Sequence, residues 1–296
     1  MYSQKSIEIL NTPINLHGEG PIWHQGRQSI MWVDILSDQI LEYSWDRQEL
    51  SVFSNAKLVS AIFEIENQHN LLVVIVQGGI AIYNLNHESY QIINDLRMNW
   101  DNIRGNDGGV DPDGSIWFST THMDHLEGRG DLFRLQSNGE LDRILSKISI
   151  SNGPCWSVNS QVIYHTDSAT SIIKGYTWVD QALIEVHPQI EIPDGFGFPD
   201  GMAMDLAGIL WVALWGGFAV CGFDSHTGKL IRKIILPVPQ VSSCAFVGPN
   251  LENLFITSSR KGMSEMELEK YPESGRSFLI GMETSGVMMK TFNKKF

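Results

Sequence analysis

The chain has 296 residues, of which 43% are hydrophobic, 10% aromatic and 19% charged, a composition typical of a globular protein rather than a disordered one. No apolar run approaches the roughly 20 residues that a membrane-spanning helix requires, so we expect no membrane segment. The formal net charge of −13 at pH 7 argues against sequence-independent binding of nucleic acid, because phosphates require a basic surface.

Strand-like segments recur along the whole chain. Runs rich in β-branched and aromatic residues predict strands. They are IMWVD at 30, LLVVIV at 71, SIWFST at 115, VIYHTD at 162, ILWVAL at 209 and NLFITS at 253. Each run follows a short apolar segment and a polar or glycine-bearing turn, which together indicate a hairpin. Helical spacing is found in KGMSEMELEKY, which starts at 261.

The hairpins form a repeat. Six copies, about 40 to 50 residues apart, have the length of a propeller blade. They begin near Gly20, Ser60, Gly108, Gly153, Gly201 and Ser243. Each copy is followed by sequence for about two more strands, so the chain is predicted to be all-β, a six-bladed β-propeller with four antiparallel strands per blade. A β-sandwich would not need such regular spacing. We expect residues 1–296 to form one domain whose N-terminal strand closes the last blade.

Four polar residues directly precede the first strand of a copy. They are Glu19, Asp107, Asn152 and Asp200. Because that strand lines the channel of a propeller, we expect the four side chains to converge at the channel mouth. Each alone could be a turn residue that binds backbone amides. Carboxylates that share one phase of a repeat would repel each other unless a cation held them, which favours a binding site.

Three of these residues are candidate metal ligands. Glu19, Asn152 and Asp200 supply only oxygen atoms and two negative charges. This set suits a single divalent cation that keeps open positions for water or for a substrate oxygen.

The histidines and cysteines are interpreted as packing residues. His17, the histidine nearest to Glu19, is expected to point to the other side of the strand. His122, His125 and His165 are more typical of core or channel positions than of ligands. The three cysteines are far apart in the sequence and lie in apolar surroundings, so we expect buried, reduced thiols.

An arginine and an amide lie next to the third copy. Arg104 and Asn106 alternate along an extended segment and therefore share a face, while Asp107 takes the position before the strand. An arginine and an amide beside a metal could bind hydroxyls or a developing oxyanion. The string DPDG at 111 to 114 is interpreted as a hairpin turn.

Seven strings spread over nearly the whole chain carry a family resemblance. They are GEGPIW at 18, RGNDGGVDPDGSIW at 104, SNGPCWS at 151, YHTDS at 164, FPDGMAMD at 198, LWVALWGG at 210 and LPVPQVSSCAFVG at 236. With them the chain resembles the senescence marker protein, regucalcin and gluconolactonase family. That family consists of six-bladed propellers that hydrolyse sugar lactones at a divalent metal.

The resemblance implies an activity and a role for each candidate residue. It implies a metal-dependent hydrolase that opens a sugar lactone, such as an aldonolactone, to the sugar acid. Its single divalent ion, Ca²⁺, Zn²⁺, Mn²⁺ or Mg²⁺, would be held by Glu19, Asn152 and Asp200, and Asp200 would also be the general base. Arg104 and Asn106 would contact the substrate.

The chain departs from the family pattern in blade 3. The resemblance implies an acidic substrate contact at Asp124. Members of the family commonly have Gly-Thr-Met shortly before that position, whereas this chain has Ser119, Thr120 and Thr121. The departure bears on which lactone the protein accepts.

Two other functions fit the same pattern. A metal-dependent propeller could hydrolyse other esters, including phosphotriesters, or it could be a non-catalytic calcium-binding module. The expected partner is a small-molecule sugar lactone, and the protein is expected to be a monomer or a small homo-oligomer. The N-terminal residues do not resemble a secretory signal, so we expect a cytoplasmic location.

Overall fold

A computed structural model of the chain describes residues 6–96 and 102–295. In this part of the chain, 24 strands form six antiparallel sheets of four strands each. The sheets are the blades of a β-propeller, and the predicted fold class is confirmed. Each strand run found in the sequence forms the second strand of a blade. No helix in the described ranges is long and apolar enough to cross a bilayer.

The first strand, β1 (Glu8–Ile9), belongs to the last blade. Blade 1 consists of β2 (Gly18–His24), β3 (Ser29–Asp34), β4 (Gln39–Ser44) and β5 (Leu50–Phe53). Blade 2 consists of β6 (Ala61–Glu64), β7 (Leu71–Val76), β8 (Gly79–Asn84) and β9 (Ser89–Asp95). Blade 3 consists of β10 (Ile103–Val110), β11 (Ile116–His122), β12 (Gly130–Leu135) and β13 (Leu141–Ile148).

The second half of the chain repeats this arrangement. Blade 4 consists of β14 (Ser151–Trp156), β15 (Ile163–Asp167), β16 (Ile172–Val179) and β17 (Ala182–Glu191). Blade 5 consists of β18 (Phe198–Met204), β19 (Ile209–Trp215), β20 (Ala219–Asp224) and β21 (Leu230–Ile235). Blade 6 consists of β22 (Val241–Val247), β23 (Asn253–Ser258), β24 (Phe278–Gly281) and β1.

Blade 6 joins the two ends of the chain. Strand β1 pairs with β24, where Glu8 lies opposite Leu279 and Ile9 opposite Phe278. The innermost strand of blade 6, β22, contacts β2 of blade 1, and each other innermost strand contacts its neighbours, so the six form a ring. The ring of Trp32 in β3 packs against Phe255 in β23 with centroids 5.1 Å apart.

The predicted helix is confirmed as α1 (Glu265–Lys270), between β23 and β24. Its N-cap is Ser264, whose side chain accepts from the backbone N–H of Glu267. The Glu267 side chain accepts from the backbone N–H of Ser264 in return, and this reciprocal capping box fixes the start of the helix.

In each of two blades, a buried aspartate stabilises the turn between the first and second strands. In blade 3, Asp111 accepts from the backbone of Ser115 over 2.8 Å and from Nε1 of Trp117 over 2.9 Å. In blade 5, Asp205 accepts from the backbone of Ile209 and from Nε1 of Trp211, both over 2.9 Å. The turn interpretation of DPDG is therefore confirmed, and its first aspartate also anchors a core tryptophan.

Candidate active site

A cavity of about 580 Å³ opens near the N-terminal ends of the innermost strands. This volume is in the range of small-molecule sites. Five of the residues singled out in the sequence line it, and they come from four different blades. They are Glu19, Arg104, Asn106, Asn152 and Asp200. All but Asn106 are buried residues.

Bulges in the innermost strands bring these side chains into the cavity. Between Glu19 and Ile22, three steps along β2 match only two along β3, from Val33 to Met31. The same one-residue bulge interrupts β10 between Gly105 and Gly108, β14 after Asn152 and β18 after Pro199. A bulge re-aims the residues on it. The side chains of the candidate residues at the bulges therefore do not follow the regular alternation between the two faces of the sheet.

The bulges also explain why the four predicted side chains do not all converge. Glu19 and Asn152 immediately precede their bulges, Asp200 is one residue further along, and Asp107 is two residues further. Asp107 lines a second cavity of about 270 Å³ instead. Its carboxylate accepts from the backbone N–H of Gly108 and of Gly153, each over 2.8 Å. Asp107 is close enough to Glu19 and Asp200 for its charge to act on them, but the expectation that it lines the same cavity was wrong.

A chain of hydrogen bonds connects three blades at the base of the site. Nη1 of Arg104 donates to Oδ1 of Asn106 over 2.8 Å, and Nδ2 of Asn106 donates to Oδ1 of Asn152 over 2.8 Å. Nδ2 of Asn152 donates to Oγ of Ser168, which donates to the carbonyl of Pro199 over 2.6 Å. This series of hydrogen bonds ends at Pro199, one residue before Asp200, and it therefore links the site residues of the three blades.

The two carboxyl groups of the site carry raised pKa values. Burial, and next the charge of Asp107, raise the pKa of Glu19 to about 8. Burial, followed by the charges of Glu19 and Asp107, raises the pKa of Asp200 well above its ordinary value. Arg104 lies close enough to both Glu19 and Asp200 to oppose these shifts. Two adjacent buried carboxyl groups with raised pKa values favour a bound cation.

The donor set fits a hard divalent cation. Glu19 and Asp200 supply carboxylate oxygens, and Oδ1 of Asn152 keeps one lone pair after accepting from Asn106. Within the described ranges, no group of three or more His, Cys, Asp or Glu side chains could hold a metal. The candidate set differs from such a group because its third oxygen comes from an amide, a donor that Ca²⁺ and Mg²⁺ accept.

The cavity also contains basic residues that the sequence interpretation placed elsewhere. His17, His125 and Lys261 line it. The expectation for His17 was wrong, because side chains two residues apart on an extended segment share a face, and His17 is two residues before Glu19. His125 was interpreted as a packing residue, but it is exposed at the cavity, and Lys261 carried no signal in the sequence.

Aromatic side chains form part of the cavity wall. Trp215, at the end of β19, and Phe198, at the start of β18, both line it. Phe198 is 52% exposed, so its ring is available to a ligand. The ring of Trp215 meets the imidazole of His17 edge to face, with centroids 5.7 Å apart. These rings give the polar site an apolar side that could stack on a sugar face.

The blade 3 residues that depart from the family pattern do not line the cavity. Oγ of Ser119 donates to the carbonyl of Ser151 over 2.8 Å, and Oγ1 of Thr121 donates to the carbonyl of Ser149 over 2.9 Å. The side chain of Asp124 is 80% exposed, and its carboxylate lies 3.9 Å from Nδ1 of His122. Asp124 is therefore outside the cavity wall, and a contact with substrate stays a prediction.

His165 and the cysteines lie in packed surroundings. Oγ of Ser151 lies 2.7 Å from Nε2 of His165, and burial lowers the pKa of this histidine to about 4. Cys155, Cys221 and Cys244 are buried and free, as the sequence predicts. Burial raises the pKa of Cys155 to about 12, so its thiol stays protonated at neutral pH.

Comparison with known proteins identifies relatives along almost the whole chain. The family model described as "SMP-30/Gluconolactonase/LRE-like region" matches residues 17–260. A Bacillus subtilis (strain 168) protein provisionally named sugar lactone lactonase YvrE is 31% identical over 271 residues, covering 91% of this chain and 92% of its own. Regucalcin of Danio rerio is 29% identical over 290 residues, covering 96% and 97%.

Solved structures show the same fold. A protein from Agrobacterium tumefaciens described as calcium-binding, regucalcin, superposes with a TM-score of 0.89 at 23% identity, over 97% of each chain. A gluconolactonase from Xanthomonas campestris superposes with a TM-score of 0.72 at 22% identity, over 93% of this chain and 89% of its own. At these identities the two structures bear on the fold alone.

Proposed function

Because the chain belongs to the SMP-30/gluconolactonase/LRE-like family, we propose that it is a metal-dependent hydrolase that opens a sugar lactone to the sugar acid. Family membership supports lactone hydrolysis in general. The observation that carries the proposal for this chain is the cavity in which Glu19, Asn152 and Asp200 lie beside Arg104 and Asn106. These groups are the two parts that such a reaction needs, a metal-binding set and a set of hydrogen-bond donors.

The proposed metal ligands are Glu19, Asn152 and Asp200. A divalent ion there would act as a Lewis acid on the carbonyl oxygen of the lactone. The hydrogen bonds from Asn106 to Asn152 and from Asn152 to Ser168 hold the amide oxygen in place. The ion is proposed to be Ca²⁺, Zn²⁺, Mn²⁺ or Mg²⁺, all of which accept oxygen ligands.

Asp200 is the proposed general base. A carboxylate has two oxygens, so one can serve as a ligand while the other accepts a proton from the attacking water. In the metal-free chain, burial and the neighbouring carboxyl groups raise the pKa of Asp200. A bound ion would lower the basicity of the ligating oxygen, so the oxygen that is not a ligand is the one proposed to accept the proton. The hydrogen bond from Ser168 to the carbonyl of Pro199 fixes the backbone next to it.

Arg104 and Asn106 are the proposed substrate contacts. Arg104 donates through Nη1 to Oδ1 of Asn106 and to the carbonyl of Gly105, so its guanidinium is held rigidly. The remaining guanidinium N–H groups can bind ring hydroxyls or the oxygen on which negative charge develops. Losing one such donor typically raises the barrier by a few kcal/mol.

A hydrolysis panel tests the proposal. The purified protein is stripped with a chelator and resupplied with Ca²⁺, Zn²⁺, Mn²⁺ or Mg²⁺, and assayed on aldonolactones, a simple carboxylic ester and a phosphotriester. The proposal predicts lactone hydrolysis that is lost on chelation and restored by at least one ion. Faster turnover of the phosphotriester would favour the esterase alternative. Metal binding that changes thermal stability without any turnover would favour a non-catalytic calcium-binding module.

A further inference from the structure

We infer that the lactone bound in this cavity carries a second anionic group, a carboxylate or a phosphate, and that Lys261 binds it. The inference rests on the proposed function, because it identifies the substrate class of the same site. It begins from a lysine that lines the cavity without a carboxylate partner. Lys261 would thus determine specificity, separately from the groups that act on the lactone carbonyl.

The backbone around Lys261 is fixed against the cavity. Its N–H donates to Oγ of Ser259 over 3.0 Å, and its carbonyl accepts from Nε2 of Gln240 over 3.2 Å. The preceding residue, Arg260, donates its N–H to the carbonyl of Leu16 over 3.1 Å. The segment between β23 and α1 is therefore attached to blade 1 and to the start of blade 6, and it holds Lys261 at the cavity wall.

The ammonium group of Lys261 has a neutral partner. Its Nζ lies 3.0 Å from Nε2 of His125, which also lines the cavity. Partial burial against the cavity wall, and next the charges of Lys261 and Arg104, lower the pKa of His125 to about 4, although part of the residue faces solvent. The imidazole is therefore uncharged at neutral pH, and its nitrogen accepts one hydrogen bond from the ammonium. An ammonium has three donors, so two remain for a ligand.

The charge of Lys261 is not offset by a contacting acid. Among the described residues, no carboxylate oxygen lies within 4.0 Å of Nζ, although Asp200 and Glu19 attract it from further away. Burial, together with the charge of Arg104, lowers the pKa of Lys261 to about 8. A half-buried cation is stabilised by an anion, and an ammonium at the wall of a cavity is a common partner for carboxylate or phosphate.

Arg104, the other cation of the cavity, lies close to carboxylates. Its guanidinium lies near Glu19 and Asp200, which act against the lowering of its pKa by burial. Its Nη1 is also used by Asn106 and by the Gly105 carbonyl. The two cations therefore have separate places in the cavity. Arg104 belongs to the reaction centre, and Lys261, with the neutral His125 beside it, forms a cationic part of the wall. A neutral sugar lactone would leave that wall without a charged partner.

A matched set of substrates tests the inference. The probes are a neutral six-carbon aldonolactone, the monolactone of the corresponding sugar diacid, and the aldonolactone phosphorylated at its terminal hydroxyl. These compounds differ only at the end of the chain remote from the carbonyl, and the two anionic probes separate carboxylate from phosphate. The variants are Lys261→Met, Lys261→Arg and, as a control with the same change in net charge, Lys229→Met at an exposed position outside the cavity.

The measured quantity is the ratio of kcat/KM for each anionic lactone to kcat/KM for the neutral lactone. We expect this ratio to exceed one for at least one anionic probe in the parent protein. Lys261→Met should lower it at least about tenfold, which corresponds to about 1.4 kcal/mol. Lys261→Arg should keep most of it, and Lys229→Met should leave it unchanged. An unchanged ratio in Lys261→Met would overturn the inference.

A binding measurement separates this inference from the proposed function. Isothermal titration calorimetry of the metal-loaded protein with the open-chain sugar diacid and with the phosphorylated sugar acid requires no turnover. Tighter binding than that of the plain sugar acid, lost in Lys261→Met, supports the inference even if every lactone in the panel proves inert. Equal affinities for all three acids overturn it, even if the neutral lactone is hydrolysed rapidly.

Discussion

Nδ2 of Asn106 donates to Oδ1 of Asn152 over 2.8 Å, and this hydrogen bond joins blade 3 to blade 4 inside the cavity. The bond connects a proposed substrate contact to a proposed metal ligand. It also fixes the amide of Asn152 so that its oxygen, rather than its nitrogen, lies on the side of Asn106, because Nδ2 of Asn152 donates to Ser168. A proposed substrate contact therefore orients a proposed metal ligand through a direct hydrogen bond.

Asn106→Ala tests this coupling. The variant removes the donors to Oδ1 of Asn152 and to the carbonyl of Ser151. We expect the metal dissociation constant to rise about tenfold to a hundredfold, the usual effect of removing a group that orients a ligand. Calorimetric titration of the chelated protein measures it. Ser119→Ala is the control, because Ser119 also donates to the Ser151 carbonyl but does not bond to Asn152. Equal affinities in the two variants would contradict the coupling.

Arg104→Ala should separate substrate binding from metal binding. Arginine has no acceptor atom and cannot be a ligand, and Asn106 keeps its bonds to Asn152 and Ser151 without it. We expect full metal occupancy at saturating ion and kcat/KM lower by about a hundredfold, the usual scale for losing an oxyanion or hydroxyl donor. Metal content per folded chain and steady-state kinetics check both. Loss of the ion with the fold intact would show that the division between ligands and substrate contacts is wrong.

Asp205→Asn should affect stability rather than catalysis. Oδ2 of Asp205 accepts from Nε1 of Trp211 and from Oγ1 of Thr284, each over 2.9 Å. Oδ1 of Asp205 accepts from the backbone N–H groups of Ala207 and Ile209. Asparagine has one side-chain oxygen, which cannot serve all four donors, so we expect the free energy of unfolding to fall by about 3 kcal/mol. Denaturant unfolding measures this loss. Turnover per folded molecule should stay unchanged, and a hundredfold fall there would contradict the structural role.

The metal-free protein should become less stable as the pH rises. The pKa of Glu19 is raised from 4.5 to about 8, so between these values the folded state binds more protons than the unfolded state. The stabilisation is fully present below pH 4.5 and is lost as the pH rises through about 8. Glu19→Gln removes this group and should flatten the decline in the Tm of chelated protein. Glu49→Gln, at an exposed position, should leave the decline as it is. Identical pH profiles for all three proteins would contradict the raised pKa.

The fold could be predicted from the sequence because the repeat is visible both in the composition of the strands and in their spacing along the chain. The strand runs at 71 and 209, for example, became β7 and β19 in equivalent places of two blades. Hydrophobic side chains on such strands pack between neighbouring blades, so both the composition and the spacing of the strands are constrained by burial.

The candidate site could be predicted only in part. Glu19, Asn152 and Asp200 line one cavity because they lie at bulges in innermost strands, but the exact position of a bulge depends on strand register, which the sequence does not display. Asp107 was misplaced for that reason. Lys261 was missed because it lies in the connection between β23 and α1, outside the repeated strands, and reaches the cavity through tertiary packing alone.

The most direct test of the account is kcat for lactone hydrolysis by Asp200→Asn at saturating metal, compared with Asp205→Asn from the same strand region. Asparagine keeps the size of Asp200 and one oxygen ligand but removes its charge and its basic oxygen. We predict a folded protein by circular dichroism, metal binding weakened but recoverable at high concentration, and kcat lower by at least about a hundredfold, the usual scale for losing a general base. Turnover close to that of the parent protein would show that Asp200 is only a turn residue, and the proposed mechanism would then be wrong.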